Sequence, residues 1–562
     1  MVPVLTVIAV AAAGVVGARS APMRQLPVSA PMRLPAAAVT PVTLCPGPET
    51  LLAPAGSQPT TPTGPTVVAA ALSKAPAGGR LTPLAGGPAT GTTSATTAST
   101  AASTVLGAVT DGVSSASTVR SGAGAVRLDV KRAAVNDGTA VATIAVTAAS
   151  QLTWGASGDL RGLSATTCGA PVDDAWLVGG GTVDGRRARL LLANPGAAPS
   201  VVDLTVLGPD GGLQPAAGQG VVVPAHTEIA LYLDALTPQL STLAVHVQAR
   251  TGRFVAVLQD SLMRGITAGG LDDLTPVVPA RRQLVTGLLR RAPGTITVTI
   301  AVPGPRDAVV RVRLLGTDAG VDLPDGVVTV PAHSVKDVVL PATVGDGSWT
   351  ADLASDVDVA AAAMSVVTRP GGENAGTAAG LGKQVPLSEL AWSTAAAPLT
   401  GDVLLALPSL PATTATTSAT STSTSTSTSA TATSGSTAAS ATQQSPAQPT
   451  VQAQLVLANG DEADPAATVP GDVVAVTFVD GHGVAVATRS LTVPPGRTVT
   501  MAVPAGTAAI RLAAGVAGGH LVGAVQLSAT DAAGPLLAVL PLRSGPGEAD
   551  PAPAVVPDPR LG

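Results

Sequence analysis

The chain has 562 residues, a formal net charge of −5, 46% hydrophobic residues and a mean hydropathy of +0.41, with 62 Gly, 49 Pro and only four Trp, two Phe and one Tyr. Beyond the N-terminus no unbroken apolar run reaches the ~18 residues a spanning helix needs, which excludes a multi-span membrane protein; the apolar share and low net charge exclude disorder throughout. Aromatic poverty and a charged fraction of 12% lie far from an average enzyme, and the length allows two to four domains.

Met1 to Ala18 are apolar and uncharged, and Arg19, Arg24 and Arg33 follow. Residues 1–18 therefore read as an apolar helix that is either a signal peptide or a membrane anchor, with Val16-Gly17-Ala18 offering the small residues a signal peptidase reads. Basic residues before this stretch are missing, so cleavage and retention stay open. Both readings place the bulk of the protein outside the cytoplasm, secreted or N-terminally anchored. Cys45 and Cys168 are the two cysteines. An even, small number in an exported chain reads as a disulfide, and two thiols without a CxxC do not complete a tetrahedral zinc site.

Residues 19–105 are expected to be a mostly disordered spacer that includes the Cys45 segment, because Pro54 to Thr104 is rich in Ala, Thr, Ser, Gly and Pro with almost no periodicity. A second tract, residues 411–450, is Ser/Thr-rich and offers hydroxyls for O-glycosylation, and residues 546–562 read as a disordered tail. Elsewhere short β-branched runs are bounded by turn residues: Thr295 to Ala301, Ala308 to Leu315, Val327 to Val330 and Asp472 to Phe478. This alternation predicts an all-β chain of Ig-like or fibronectin-like β-sandwiches.

Self-comparison shows a repeat. LLLANPG from Leu190 aligns with VTIAVPG from Val298 at an offset of 108, and LVLANGD from Leu455 repeats the first copy. Each is followed by a strand and a Gly/Asp turn, then by a proline turn: VVVPAHTEIALYL around Pro224, VTVPAHSVKDVVL around Pro331 and LTVPPGRTVTMAV around Pro494. The predicted units are residues 172–280, 281–391 and 392–545, the last interrupted by 411–450. Residues 106–171 match only the second half of a unit and are expected to form a partial sandwich, completed by strands from around Cys45, with the disulfide tying the two ends of that unit across the spacer.

CPGP at Cys45, RGLSATTCGAPVDDAWLVGGG, RLLLANPGAAPSVVDLTVLGPDGG and VVVPAHTEIALYLDAL resemble an uncharacterised actinobacterial family, catalogued as domain-of-unknown-function family 5719. The resemblance covers Cys45 to about Arg543 and is best over Gly162 to Thr275. It implies an exported or membrane-anchored envelope protein and carries over no catalytic residue.

Candidate chemistry is sparse. His226 and His333 occupy one position in two copies of the P-A-H-[ST] turn, where the third copy has Gly496, so they read as turn residues. His246 lies in an alternating strand and His482 in a D-G-H-G turn, neither with a second ligand at metal spacing. The acidic pairs Asp173-Asp174, Asp272-Asp273 and Asp461-Glu462 read as solvated loop charge, as do Arg186-Arg187, Arg281-Arg282 and Arg290-Arg291. No G-x-S-x-G, S-x-x-K, H-E-x-x-H or P-loop occurs. Sugar stacking needs an aromatic platform, for which Trp154, Trp176, Trp349 and Trp392 are the candidates, though packing is the favoured reading of Trp176 and Trp392.

These observations lead to the expectation of a non-enzymatic, exported cell-envelope protein that acts as a structural scaffold or interaction module. No cofactor is expected, and no nucleic acid, given the acidic balance. The partner would be an envelope protein or a cell-wall glycan, and the membrane would be met only through the N-terminal segment. The rival expectation is a glycan-binding accessory protein for cell-wall polysaccharide assembly.

Overall fold

The computed structural model describes residues 42–47, 63–73, 77–84, 104–109, 112–120, 124–131, 146–369, 387–408, 449–462, 471–514, 519–531 and 534–544. All belong to one compact unit, Thr40–Glu548. The described residues are almost entirely β; the helical pieces among them are Ala216–Gly218 and Leu233–Leu236.

Strands form where the sequence alternates. In Ala308–Leu315 (AVVRVRLL) Ala308, Val310, Val312 and Leu314 are buried, while Val309 and Arg311 face water. Asp472–Val479 repeats the pattern with Val474, Val476 and Phe478 inside. Each such Val or Leu taken from water contributes about 1.5–3 kcal/mol, so a few residues per strand hold each sheet against its partner.

The sheets come in four pairs with one connectivity. When the strands of a pair are counted in chain order, one sheet has the order first–sixth–third–fourth and the other fifth–second–seventh–eighth. In the second pair these sheets are Asp174–Val178, Ala244–Thr251, Ser200–Gly208 and a fourth strand in two pieces, Gly211–Leu213 and Val221–Val223, both paired with Ser200–Gly208, and Thr227–Tyr232, Arg186–Asn194, Val255–Arg264 and Thr267–Leu274. The fourth pair uses Asp402–Ala406, Ala509–Ala514, Asp472–Val479 and Ala485–Val493 against Arg497–Ala502, Gln452–Asn459, Leu521–Asp531 and Gly534–Pro541. In the third pair the sixth and seventh strands are fused into Gly347–Arg369, whose first part pairs with Ala280–Arg290 and Ala308–Leu315 and whose second part pairs with Thr295–Ala301 and Leu387–Thr394.

The proline turns repeat in geometry as well. His226 and His333 sit at φ 55° and 53°, and Gly496 at φ 68°. The His226 and His333 amides donate to the equivalent carbonyls of Gly196 and Gly304, and the Gly496 amide donates to the Asn459 carbonyl, two positions earlier in the repeat. A left-handed residue is required there, which explains why glycine replaces histidine in the fourth pair.

The first pair departs from expectation. Thr63–Ser73 and Ala77–Pro83 lie in the stretch read as a spacer, yet with Val42–Cys45 and Thr104–Val109 they join Gly112–Arg120, Val126–Lys131, Val146–Gly155 and Gly162–Thr167 in a full eight-stranded pair. Thr63–Ser73 is Ala/Thr/Val-rich and weak alone, but it is sealed between Gly112–Arg120 and Val146–Gly155. The third pair's last strand, Leu387–Thr394, also runs through the boundary expected at 391/392. The apolar segment 1–18, the tail 546–562 and the insertion up to residue 448 lie outside the described residues. The last falls in sequence between the first and second strands of the fourth pair.

The pairs form a closed ring through their eighth strands. Gly162–Thr167 packs on Thr267–Leu274, that strand on Leu387–Thr394, that on Gly534–Pro541, and the last returns to Gly162–Thr167. The approach is close: a Cβ on Gly270, at φ +112°, would lie 2.4 Å from the Leu390 amide nitrogen.

Candidate functional site: the buried polar centre

The eighth strands carry polar side chains into the place where the four pairs meet. Asp272 is 1% exposed; its carboxylate accepts the Trp392 amide at 2.7 Å and the Ala165 amide at 3.4 Å, so one side chain ties the first, second and third pairs. Glu389 is 0% exposed and faces Arg161 Nη1 at 3.7 Å. Arg161, itself buried, donates through Nη2 to Asp531 Oδ1 at 2.9 Å and to the Pro535 carbonyl at 3.0 Å, which brings in the fourth pair.

Two further clusters extend this centre. Asp260 receives Arg186 through two hydrogen bonds, 3.0 and 2.8 Å, and the Trp392 indole N–H at 2.9 Å, while the Arg186 guanidinium lies 5.7 Å from the Trp392 ring centroid. On the other face of the same sheet, Glu228 accepts the Gly47 amide at 3.3 Å, Gln259 donates to the Gly47 carbonyl at 3.2 Å, and Arg189 donates to Gln259 Oε1 at 2.9 Å. The segment after Cys45 is thereby fixed to the second pair.

Burial governs the electrostatics. It pushes Glu228 up to about 7, against the Gly47 amide and the Arg189 charge, and Asp273 up to about 6, against the Gln259 side chain. Burial likewise holds Asp272 and Glu389 well above the carboxylate range, the first opposed by the Trp392 amide and the second by the Arg161 charge. Strongly raised carboxyls often mark catalytic acids, but these have almost no exposed surface, and what they can do chemically is hold protons and hydrogen bonds between strands.

Several charges expected at the surface, and candidate sugar-stacking aromatics, are buried or paired. Asp272-Asp273 is not loop charge: both residues are buried in Thr267–Leu274, where GGLDDL contains no turn. Asp173 and Asp174 are exposed, and Asp461 pairs with His520 Nδ1 at 2.6 Å. Arg186 and Arg282 clamp Asp260 and Asp352, and Arg290 donates to the carbonyls of Val344, Gly294 and Ala342. Trp154 and Trp392 are each 3% exposed, too deep to stack on a sugar, because both pack into cores. Trp176 is half-buried and stacked on His246 at 4.2 Å with the planes 5° apart, and His246 Nε2 lies 2.8 Å from Asp174. Trp349 is half-buried, its indole N–H on the Gly345 carbonyl.

Glu228, Asp260, Glu389 and Arg161 were not singled out from sequence. The available signal was a charge inside an alternating strand, as in LSELAWST. Cys45 and Cys168 form the disulfide, which joins the first strand of the first pair to the residue after its eighth and indicates an oxidising compartment. Among the described residues no group of metal-ligating side chains is found and no helix is long and apolar enough to cross a membrane.

Fold and centre together define an all-β protein, disulfide-linked and built of paired sheets sealed around buried carboxyls. The chain belongs to a family of unknown function (DUF5719), whose model matches residues 125–454. No curated protein and no solved structure matches it.

Proposed function

We propose that this chain is a non-enzymatic, exported cell-envelope protein whose tandem Ig-like or fibronectin-like sandwiches act as one rigid scaffold or interaction module. The observation that carries this reading is the ring of eighth strands, in which Asp272, Glu389 and Arg161 spend their polar groups on holding all four pairs together. Such a body has its charged interior committed to shape, and its outer sheet faces remain for a partner. The disulfide supports a location outside the cytoplasm. The test is protease accessibility of a C-terminal fusion on intact cells. Digestion without lysis is expected, and a fusion protected until lysis would overturn the reading.

A glycan-binding accessory role is favoured by one feature, the half-buried Trp176 stacked on His246 beside Asp174. Retention on purified wall polysaccharide that is lost in Trp176→Ala would establish it. Equal elution of both proteins with no retention would remove it.

A further inference from the structure

Between the third and fourth pairs lies a cleft of about 560 Å³, within the ~300–1,000 Å³ range of small-molecule sites. Its floor includes Leu289, Val367 and Leu537, which belong to the aliphatic seam joining the two pairs. Its walls carry Arg291 and Arg369, both exposed, and neither has a carboxylate partner among the described residues. The contrast with the preceding residue is sharp, since the Arg290 guanidinium is consumed by three backbone carbonyls. No Asp or Glu lines this cleft among the described residues, in a chain whose net charge is −5.

From this we infer that the cleft is a binding site for an acidic saccharide, a sugar bearing a phosphate or a carboxylate. Two guanidinium forks unmatched by acids among the described residues suit an oxyanion, which they bind by paired N–H donors. Gln452, Ser528 and Thr530 add an amide and two hydroxyls suited to a polyol, and the aliphatic floor suits the C–H face of a sugar ring. The site is remote in sequence from Trp176 and rests on neither reading above.

Isothermal titration of the full chain with glucose 1-phosphate, trigalacturonate, maltotriose and inorganic phosphate tests the assignment. At least one acidic saccharide is expected to bind tenfold or more tightly than both maltotriose and phosphate, and which one it is separates phosphate from carboxylate. Arg291→Gln with Arg369→Gln should weaken that binding at least tenfold with an unchanged thermal midpoint, as should Thr530→Glu, which places a negative charge at an exposed position. Arg250→Gln, remote and paired with Asp203, should bind as the parent does. The inference fails if neither acidic saccharide outbinds both controls, or if the preferred one binds undiminished to Thr530→Glu and to the double variant.

Discussion

Within a sheet pair and at the ring of eighth strands, the protein buries different chemistry. Between the sheets of the second pair lie Leu190, Leu192, Val202, Leu204, Val245 and Phe254, all aliphatic or aromatic. Where the eighth strands converge lie Asp272, Glu389, Arg161, Asp260 and Arg186, while aliphatic seams such as Leu289, Val367 and Leu537 join the pairs further out. Aliphatic packing supplies most of the stabilisation but distinguishes poorly among partners of like size. Directional groups are costly when unmatched, so they can select which strand meets which. Four pairs of one connectivity need such selection, since their inner faces are built alike.

The two kinds of interior are expected to fail differently. The largest effect belongs to the disulfide, which ties the two ends of the first pair across 123 residues: Cys45→Ser with Cys168→Ser should cost about 4–5 kcal/mol on the chain-entropy model, read as a lower denaturation midpoint. Next, Arg161→Met leaves Asp531 buried without its cation and should cost about 3–5 kcal/mol. Glu389→Gln replaces a carboxyl that burial already favours as the neutral acid, and should change stability by less than about 1 kcal/mol. A large loss in Glu389→Gln with none in Arg161→Met would reverse the account of the centre.

The pH dependence follows. Glu228 at about 7 and Asp273 at about 6 stand above their ordinary values of 4.5 and 3.8, so the folded protein binds more protons than the unfolded chain across that interval. Their contribution is fully present below about pH 4 and is lost as pH rises through 6 and 7. For Glu228 alone this amounts to about 3 kcal/mol, visible by urea denaturation at pH 5 and pH 8 and flattened in Glu228→Gln. The smallest effect is expected outside both interiors: His333→Gly, at φ 53°, should be neutral or stabilise by up to about 1 kcal/mol in thermal melts, while His333→Val should destabilise.

The repeating turns were legible because local chemistry dictates them: a left-handed position accepts His or Gly at a cost any chain must meet locally. The strands from Thr295 to Val330 were legible for the same reason, since period-two burial is written residue by residue. The strands of the first pair were not, because Ala- and Thr-rich segments acquire their structure from neighbours brought in by tertiary pairing. The centre was least legible. Asp272 and Asp273 look solvated in sequence, and what makes them interior is a ring of eighth strands from four distant parts of the chain.

That ring also orders events in time. Arg161 meets Asp531 across 370 residues, and the strand Gly162–Thr167 gains its last neighbour only when Gly534–Pro541 arrives. The earliest pair made is thus among the last to be enclosed, and contacts this distant in sequence form slowly. A chain cut short before Gly534 would leave Arg161 and the open edge of the first pair facing water, so an incomplete molecule is chemically marked by the charge and strand edge it exposes.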